Sequence, residues 1–237
     1  MIILILFLGP TDSLKSLIEI NPDYHCILEL NNAYRRSWLF DSANNYLKKY
    51  EDRFGFEEQA EFNYLIGENL FFKGELLSAR EQYLKTAAKY SNAKYANDAL
   101  ERLYLFESAR KDTLLLKKLG KVINLYEIGE LKPAEDSLRN LIKTVIGDYA
   151  LYYLALVYYQ KNEYNQALSA LEQLNKDFPS SCIHQAKLLV AEIDLKIGRE
   201  KEAIKILEDL VIKYPNFPVG IRARDILKKL EGVQMRK

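Results

Sequence analysis

The sequence is poor in the residues that interrupt regular structure. Only 10 glycines and 6 prolines occur among 237 residues, which is typical of helices joined by short turns and argues against a turn-rich β sandwich. Two cysteines, Cys26 and Cys182, are too few for a disulfide framework, and no C-x-x-C motif occurs. The formal net charge is +1, so charge alone gives no attraction to nucleic acid or to a membrane.

Reactive groups are equally sparse. The two histidines, His25 and His184, have no partners at zinc-ligand spacing, and the sequence contains no G-x-G-x-x-G, P-loop, G-x-S-x-G or H-E-x-x-H motif. Acidic residues alternate with lysines, as in KEAIKILED, which is the pattern of a solvated helix face. A basic excess over residues 221–237 fits a solvated terminal helix equally well. We therefore expect no enzyme, no cofactor, no metal site and no nucleic-acid partner.

One pattern repeats along the chain. YNQALSALEQLNKDFP at residues 164–179 and EKEAIKILEDLVIKYP at residues 200–215 share an alanine, a leucine four residues later, and an aromatic-proline end. Four of the five units also have Gly or Asn five residues before the alanine, and Trp38 is the exception. The repeated alanines are Ala43, Ala79, Ala134, Ala167 and Ala203.

Each mark of the pattern has a physical cause. An alanine is required where two helices cross closely, Gly or Asn accepts the left-handed conformation that ends a helix, and proline stops the next one. Each unit is therefore predicted to be a helix, a turn and a second helix of about 34 residues. The stretch LYYLALVYYQKNEYNQALSALEQLNKDFP resembles a tetratricopeptide repeat (TPR), with Leu154, Ala155, Tyr158, Ala167 and Pro179 at motif positions.

The resemblance implies an all-α, right-handed TPR-like solenoid of about five helix-turn-helix units. The 55 residues from Ala79 to Ala134 exceed one period, which predicts one extra helix, and FPVGIRARDILKKLEG reads as a C-terminal capping helix. We expect one superhelical domain over residues 11–237. Units of about 36 residues that end in YP or FP are also similar to two bacterial envelope TPR proteins, the barrel-assembly TPR lipoprotein and the periplasmic protein associated with Tol–Pal.

The N-terminus carries seven apolar residues at positions 2–8. This run is far shorter than the ~20 residues that span a bilayer, so we expect no transmembrane span. It is similar to the apolar part of a signal peptide, although no Lys or Arg precedes it and no A-x-A-like site follows. Residues 1–10 are thus a candidate signal peptide of a periplasmic or otherwise exported protein. The alternative is a buried N-terminal segment of a cytoplasmic protein.

The TPR resemblance also implies which residues line a concave groove, namely those 18, 15, 11 and 8 residues before each repeated alanine. Tyr126, Tyr149, Tyr152 and Tyr159 are predicted to form one aromatic strip there, framed by Glu68 and Glu192, which would favour a basic ligand. The alternative is that such aromatic residues pack between helices as core. The candidate partner-binding residues are Tyr64, Glu68, Phe71, Tyr126, Tyr149, Tyr152, Tyr159 and Glu192, and the same rule places Leu116, Leu119 and Ile123 in the groove.

Three functions fit these features. The first is a non-enzymatic scaffold that binds a peptide or protein segment in its groove. The second is an envelope assembly subunit of a multiprotein complex, and the third is a regulator or carrier of a separate enzyme. A carboxylate clamp of the kind that grips a C-terminal peptide is indicated only by Asn32, Arg35 and Arg36 in the first unit, and one unit does not make a clamp.

If the protein is exported, the mature chain should begin between Gly9 and Leu14, because the apolar run stops at Leu8. N-terminal sequencing of protein recovered from its native cells tests this. An intact Met1 would remove the export hypothesis.

Overall fold

The structure is a computed structural model that describes residues 10–109 and 112–234. Within these residues the chain forms thirteen α-helices, a short 3-10 helix at Glu51–Arg53 and no strand, so the predicted all-α class is confirmed. The apolar run at residues 2–8 lies outside the described residues. The helices are α1 (Pro10–Ile20), α2 (Tyr24–Arg36), α3 (Phe40–Tyr50), α4 (Phe56–Lys73), α5 (Leu76–Lys89), α6 (Lys94–Ser108), α7 (Thr113–Glu127), α8 (Leu131–Arg139), α9 (Gly147–Gln160), α10 (Tyr164–Asp177), α11 (Gln185–Lys196), α12 (Glu200–Lys213) and α13 (Pro218–Gln234).

The first helix of each repeat ends in the same left-handed turn. Gly74, Gly129 and Gly198 have φ values of 89°, 86° and 82°, and Asn162 has a φ of 60°. The residue after each of them donates its backbone N–H to the carbonyl five residues back, as Glu75 does to Leu70. These four residues therefore end their helices, as the sequence predicts.

The turn at Trp38 has the same backbone geometry as the other four, although tryptophan is neither glycine nor asparagine. Its φ is 58°, and the N–H of Leu39 donates to the carbonyl of Tyr34 as in the other turns. A bulky side chain in this conformation costs about 1–2 kcal/mol. The Trp38 ring lies edge-on to Phe40, with 5.7 Å between the ring centroids, and this contact offsets part of that cost.

Four of the five repeated alanines lie on the second helix of a packed pair, while Ala134 lies on α8, which packs against α9; the four pairs are α2 with α3, α4 with α5, α9 with α10 and α11 with α12. All five have no exposed surface. In the second repeat the residue four positions after the alanine is Tyr83 instead of leucine, and the facing residue on α4 is Gly67. A Cβ at Gly67 would lie 2.7 Å from the Tyr83 ring, so the larger side chain on one helix requires the smaller one on the other.

The chain divides into two compact units, Met1–Glu130 and Leu131–Lys237. Unit 1 holds α1 to α7, including the extra helix that the spacing predicts between the second and third repeated alanines, and α6 packs there against α4 and α5. Unit 2 holds α8 to α13, and α13 closes its core through Val219 and Ala223, which pack with Leu188 and Leu207. The single domain over residues 11–237 stays a prediction.

Ala167→Leu should reduce the free energy of unfolding by about 1–3 kcal/mol, because the larger side chain overpacks the crossing of α9 and α10. The matched control is Gln166→Leu, which places the same side chain on the exposed side of α10 and should change stability by no more than about 0.5 kcal/mol. Chemical denaturation of both variants measures the difference. Equal free energies of unfolding for the two variants would show that the crossing of α9 and α10 can accommodate a leucine.

Candidate functional site

Helix α9 carries a stripe of large, partly exposed side chains. They recur every three or four residues, so they share one face of the helix. Two other tyrosines of the helix, Tyr153 and Tyr158, are 7% and 4% exposed and belong to the core. The ring of Tyr153 also contacts that of Tyr152, with 5.6 Å between the centroids. The four members of the stripe, all half-buried, are Tyr149, Tyr152, Leu156 and Tyr159.

Helices α11 and α13 add a charged pair beside this stripe. The guanidinium of Arg222 donates two hydrogen bonds to Oε1 of Glu192, at 2.9 and 3.2 Å. Burial raises the pKa of Tyr159, the charge of Glu192 raises it further, and the charge of Arg222 opposes the rise. Tyr159, Glu192 and Arg222 are therefore within electrostatic reach of one another. We call the stripe together with Glu192 and Arg222 the tyrosine face of unit 2.

The tyrosine face contains four of the eight residues predicted from the sequence, Tyr149, Tyr152, Tyr159 and Glu192. Arg222 was missed, because its only sequence signal is its place in the basic C-terminal stretch. The fourth tyrosine of the predicted strip, Tyr126, is half-buried on α7 in unit 1. Its membership of one continuous strip stays a prediction.

The predicted groove residues of α4 contact other helices of unit 1. The half-buried ring of Tyr64 lies 5.5 Å from that of Tyr95 on α6 and 6.0 Å from that of Tyr83 on α5. Phe71 has no exposed surface, and its ring lies 5.2 Å from that of Phe106 on α6. The prediction for Phe71 is therefore corrected: it is a core residue, because α6 packs over this part of α4.

Glu68 is also enclosed within unit 1. It is 1% exposed, and its carboxylate accepts hydrogen bonds from Arg102 at 2.7 and 2.5 Å and from the Tyr83 hydroxyl at 2.5 Å. Burial by itself would raise the pKa of Glu68, but the charge of Arg102 and these hydrogen bonds outweigh burial and hold the pKa below its usual value.

The prediction that Glu68 and Glu192 favour a basic ligand is corrected by their ion pairs. Each carboxylate already has an arginine partner, Arg102 for Glu68 and Arg222 for Glu192. An ion pair presents far less net charge to a ligand than a lone carboxylate does. The two glutamates therefore give no reason to expect a basic ligand.

Helix α7 packs against α4 with its predicted groove side turned inward. Leu116, Leu119 and Ile123 are 4%, 0% and 0% exposed. A Cβ at Gly120 would lie 2.9 Å from the backbone oxygen of Phe71, so the two backbones approach closely. The groove positions predicted for Leu116, Leu119 and Ile123 are thus corrected to core positions.

The same helix covers Arg35, one of the three residues that hinted at a carboxylate clamp, while Asn32 and Arg36 are exposed. Arg35 is 3% exposed, and its guanidinium donates to Oδ1 of Asn124 at 3.1 Å and to Oε2 of Glu127 at 2.5 Å. The ring of Phe72 lies under the same guanidinium, 4.6 Å from its central carbon. Arg35 is therefore occupied by contacts within unit 1.

Two other kinds of site, a membrane span and a metal-binding cluster, are absent from residues 10–109 and 112–234. None of the helices in these ranges is long and apolar enough to cross a membrane. No group of three or more His, Cys, Asp or Glu side chains in the same ranges is arranged to hold a metal ion. The tyrosine face is the candidate binding site of the described residues.

Residues 143–210 match the family model described as Anaphase-promoting complex, cyclosome, subunit 3. The matched residues include α9 to α11 and most of α12, and they make up less than a third of the chain. The match supports a TPR-like helical repeat, as the sequence motif predicts. No curated protein sequence matches this chain.

Several solved structures are similar in fold. The TPR2AB domain of yeast Sti1 in a pHSP90 complex is 14% identical, with 92% of this chain and 88% of that chain covered and a TM-score of 0.42. The Rap conjugation gene regulator of plasmid pLS20 with the Phr* peptide is 19% identical, with 91% and 60% covered and a TM-score of 0.44. The P58(IPK) TPR domain is 12% identical, with 95% and 62% covered and a TM-score of 0.37. All three TM-scores are below 0.5, and none of these likenesses decides what this chain binds.

Arg102→Leu should reduce the free energy of unfolding by about 3–5 kcal/mol, because it leaves the carboxylate of Glu68 buried without its cation. The matched control is Arg80→Leu: Arg80 pairs with Glu107 at 3.5 Å, and their side chains are 47% and 74% exposed. Loss of such an exposed pair should cost about 0–1 kcal/mol. Similar losses in both variants would contradict the enclosed ion pair.

Proposed function

We propose that the chain is a non-enzymatic protein-interaction module and that the tyrosine face of unit 2 binds a segment of another protein. The observation that carries the proposal is the half-exposed stripe on α9. A row of tyrosines at three- and four-residue spacing offers large, rigid contact area at low entropic cost. An elongated helix face suits an extended or helical segment better than a small molecule in a deep pocket.

The burial of neighbouring tyrosines supports a binding role for the stripe over a purely structural one. Tyr153 and Tyr158 already supply aromatic packing to the core of unit 2. The rings of Tyr152 and Tyr159 are half-buried, so each can bury further apolar area when a ligand binds. That further burial is worth about 25 cal/mol for each Å² of apolar surface removed from water.

The charged pair at the edge of the face sets the polar part of the proposed ligand. The side chains of Glu192 and Arg222 are 20% and 66% exposed. Arg222 can therefore donate hydrogen bonds to the ligand, while its ion pair with Glu192 holds the arginine side chain in place. We expect a segment with apolar or aromatic side chains and at least one acceptor group. A segment of high positive charge is not expected.

A second candidate function is an envelope assembly subunit, favoured by the apolar run at residues 2–8. In that case the protein is exported, and the tyrosine face is one of its contacts within a larger complex. Helix α1 begins at Pro10, so cleavage beside Gly9 would keep α1 whole, whereas cleavage nearer Leu14 would remove its first turn. Regulation of a separate enzyme is the third candidate.

The test of the proposed function is peptide selection on the purified full chain, followed by affinity measurements on variants. Tyr152→Ala and Tyr159→Ala should each lower the affinity for the selected peptides tenfold or more, as loss of a central interface tyrosine does. Because both rings are half-buried, the thermal midpoint should fall far less than it does for a core tyrosine.

The matched control is Tyr104→Ala, a 65% exposed tyrosine on α6 of unit 1, which should leave affinity unchanged. Binding that survives both stripe substitutions while the thermal midpoint collapses would show that the stripe is core. The interaction function would then need another face.

A further inference from the structure

The outer face of α6 in unit 1 is apolar and exposed. The exposed residues of this helix are Lys94, Leu100, Tyr104 and Glu107. Leu100 and Tyr104 are four residues apart and therefore lie on one side of the helix, between a charged residue at either end. Large apolar side chains that are exposed singly are ordinary, whereas several on one face are typical of an interaction surface.

The packing of the neighbouring helices explains why this face is exposed. In the second repeat α5 packs along one side of α4, but α6 packs against α4 and α5, and the next helix, α7, packs against α4. Among the described residues of unit 1, no helix takes the place beside α6 that α5 takes beside α4. The apolar side chains on the outer face of α6 are therefore left without cover within the unit.

Helix α5 extends this apolar surface. Leu77 and Leu84, seven residues apart, are both exposed, and Leu77 is 81% exposed. Arg80 lies between them in the sequence, and its guanidinium is 3.5 Å from the carboxylate of Glu107 on α6. This ion pair brings the exposed sides of α5 and α6 together.

The direction of the two helices places their apolar side chains at the same level. The turn at residues 90–93 joins α5 to α6, and helices joined by so short a turn pack antiparallel. Leu84 follows Arg80 by four residues, or about 6 Å along α5, and Tyr104 precedes Glu107 by three, or about 4.5 Å along α6. We call this surface the α5–α6 patch: Leu77, Arg80, Leu84, Leu100, Tyr104 and Glu107.

The charges of the α5–α6 patch are complementary to a second copy of the same patch. A two-fold axis beside the ion pair would place Arg80 of one copy against Glu107 of the other, and the reverse contact would follow by symmetry. The other four side chains of the patch are uncharged, so they would meet without burying an unpaired charge. Glu81 and Lys85 are exposed on α5 beside them and would form part of a polar rim, as at other protein interfaces.

We propose that two copies of this chain associate through their α5–α6 patches as a symmetric dimer. The formal net charge of each chain is only +1, so long-range repulsion between copies is small. A contact centred on four apolar side chains is small for a protein interface, so the dimer should form only at high protein concentration. The comparison of Arg102→Leu with Arg80→Leu, made at low concentration, then reports on the monomer.

The proposed dimer is independent of the proposed peptide binding, and the two are tested separately. Tyr152→Ala, on the tyrosine face of unit 2, should leave dimer formation unchanged. A dimer found without peptide binding would contradict only the proposed function. Peptide binding by a chain that stays monomeric would contradict only the dimer.

Sedimentation velocity of the full chain, from low micromolar to near-millimolar concentration, tests the dimer. Arg80→Glu and Glu107→Arg should each weaken self-association by roughly tenfold or more, because each sets like charges against each other across the two-fold axis. The double charge swap should restore it. An equimolar mixture of the two single variants should form a mixed dimer, since each copy then offers the charge that the other lacks.

The matched control is Lys132→Glu, which reverses one charge of the Lys132–Asp136 pair in unit 2, where the side chains are 74% and 58% exposed. This variant should associate as the unsubstituted chain does. Every substituted position is exposed, so circular dichroism should show unchanged helix content in all variants. A chain that is monomeric at every concentration would overturn the proposal and leave the patch to a different protein. A dimer that neither charge reversal weakens would overturn it as well.

Discussion

The close crossing of two helices in the regular repeats is the contact on which the rest of the structure depends; the crossing pairs are α2 with α3, α4 with α5, α9 with α10 and α11 with α12. It requires a small residue on one helix and a matching large one on the other, as Gly67 and Tyr83 show at their limit. The repeated alanine and the large residue four positions after it share one face of the second helix, so the crossing also fixes which side of that helix faces inward. The positions left outside, such as the stripe on α9, follow from that choice.

These local requirements are why the helices could be predicted from the sequence. Helix-ending glycines, crossing alanines and terminal prolines each reflect a contact made within a few residues or within one hairpin. Trp38 is a position at which residue type does not predict the turn. Its left-handed φ of 58° is imposed by the same turn, yet nothing in its residue type announces it, since tryptophan is among the residues least suited to that conformation.

The fate of the candidate site residues depended on contacts that spacing does not encode. Periodicity placed Glu68 and Phe71 on one face of α4, but it could not say that α6 and α7 would cover that face. Both covering helices come from the part of the chain where the repeat spacing breaks. Arg102, which pairs with Glu68, lies on α6, outside any repeat motif. On α9, and at Glu192 of α11, the period is regular and the predicted positions are partly exposed, while their role in binding stays a prediction.

The two units use the corresponding face of their helices for opposite purposes. In unit 1 the face of α4 is closed by α6 and α7 through buried ion pairs and amides, which fix geometry because a buried charge or amide tolerates few arrangements. In unit 2 the face of α9 keeps tyrosines half-exposed, with an ion pair that water still reaches. Substitutions in the polar contacts of unit 1 should therefore act on folding, while those on the tyrosine face should act on binding if the proposed function holds. This difference separates the two roles experimentally, although both faces come from the same repeat pattern.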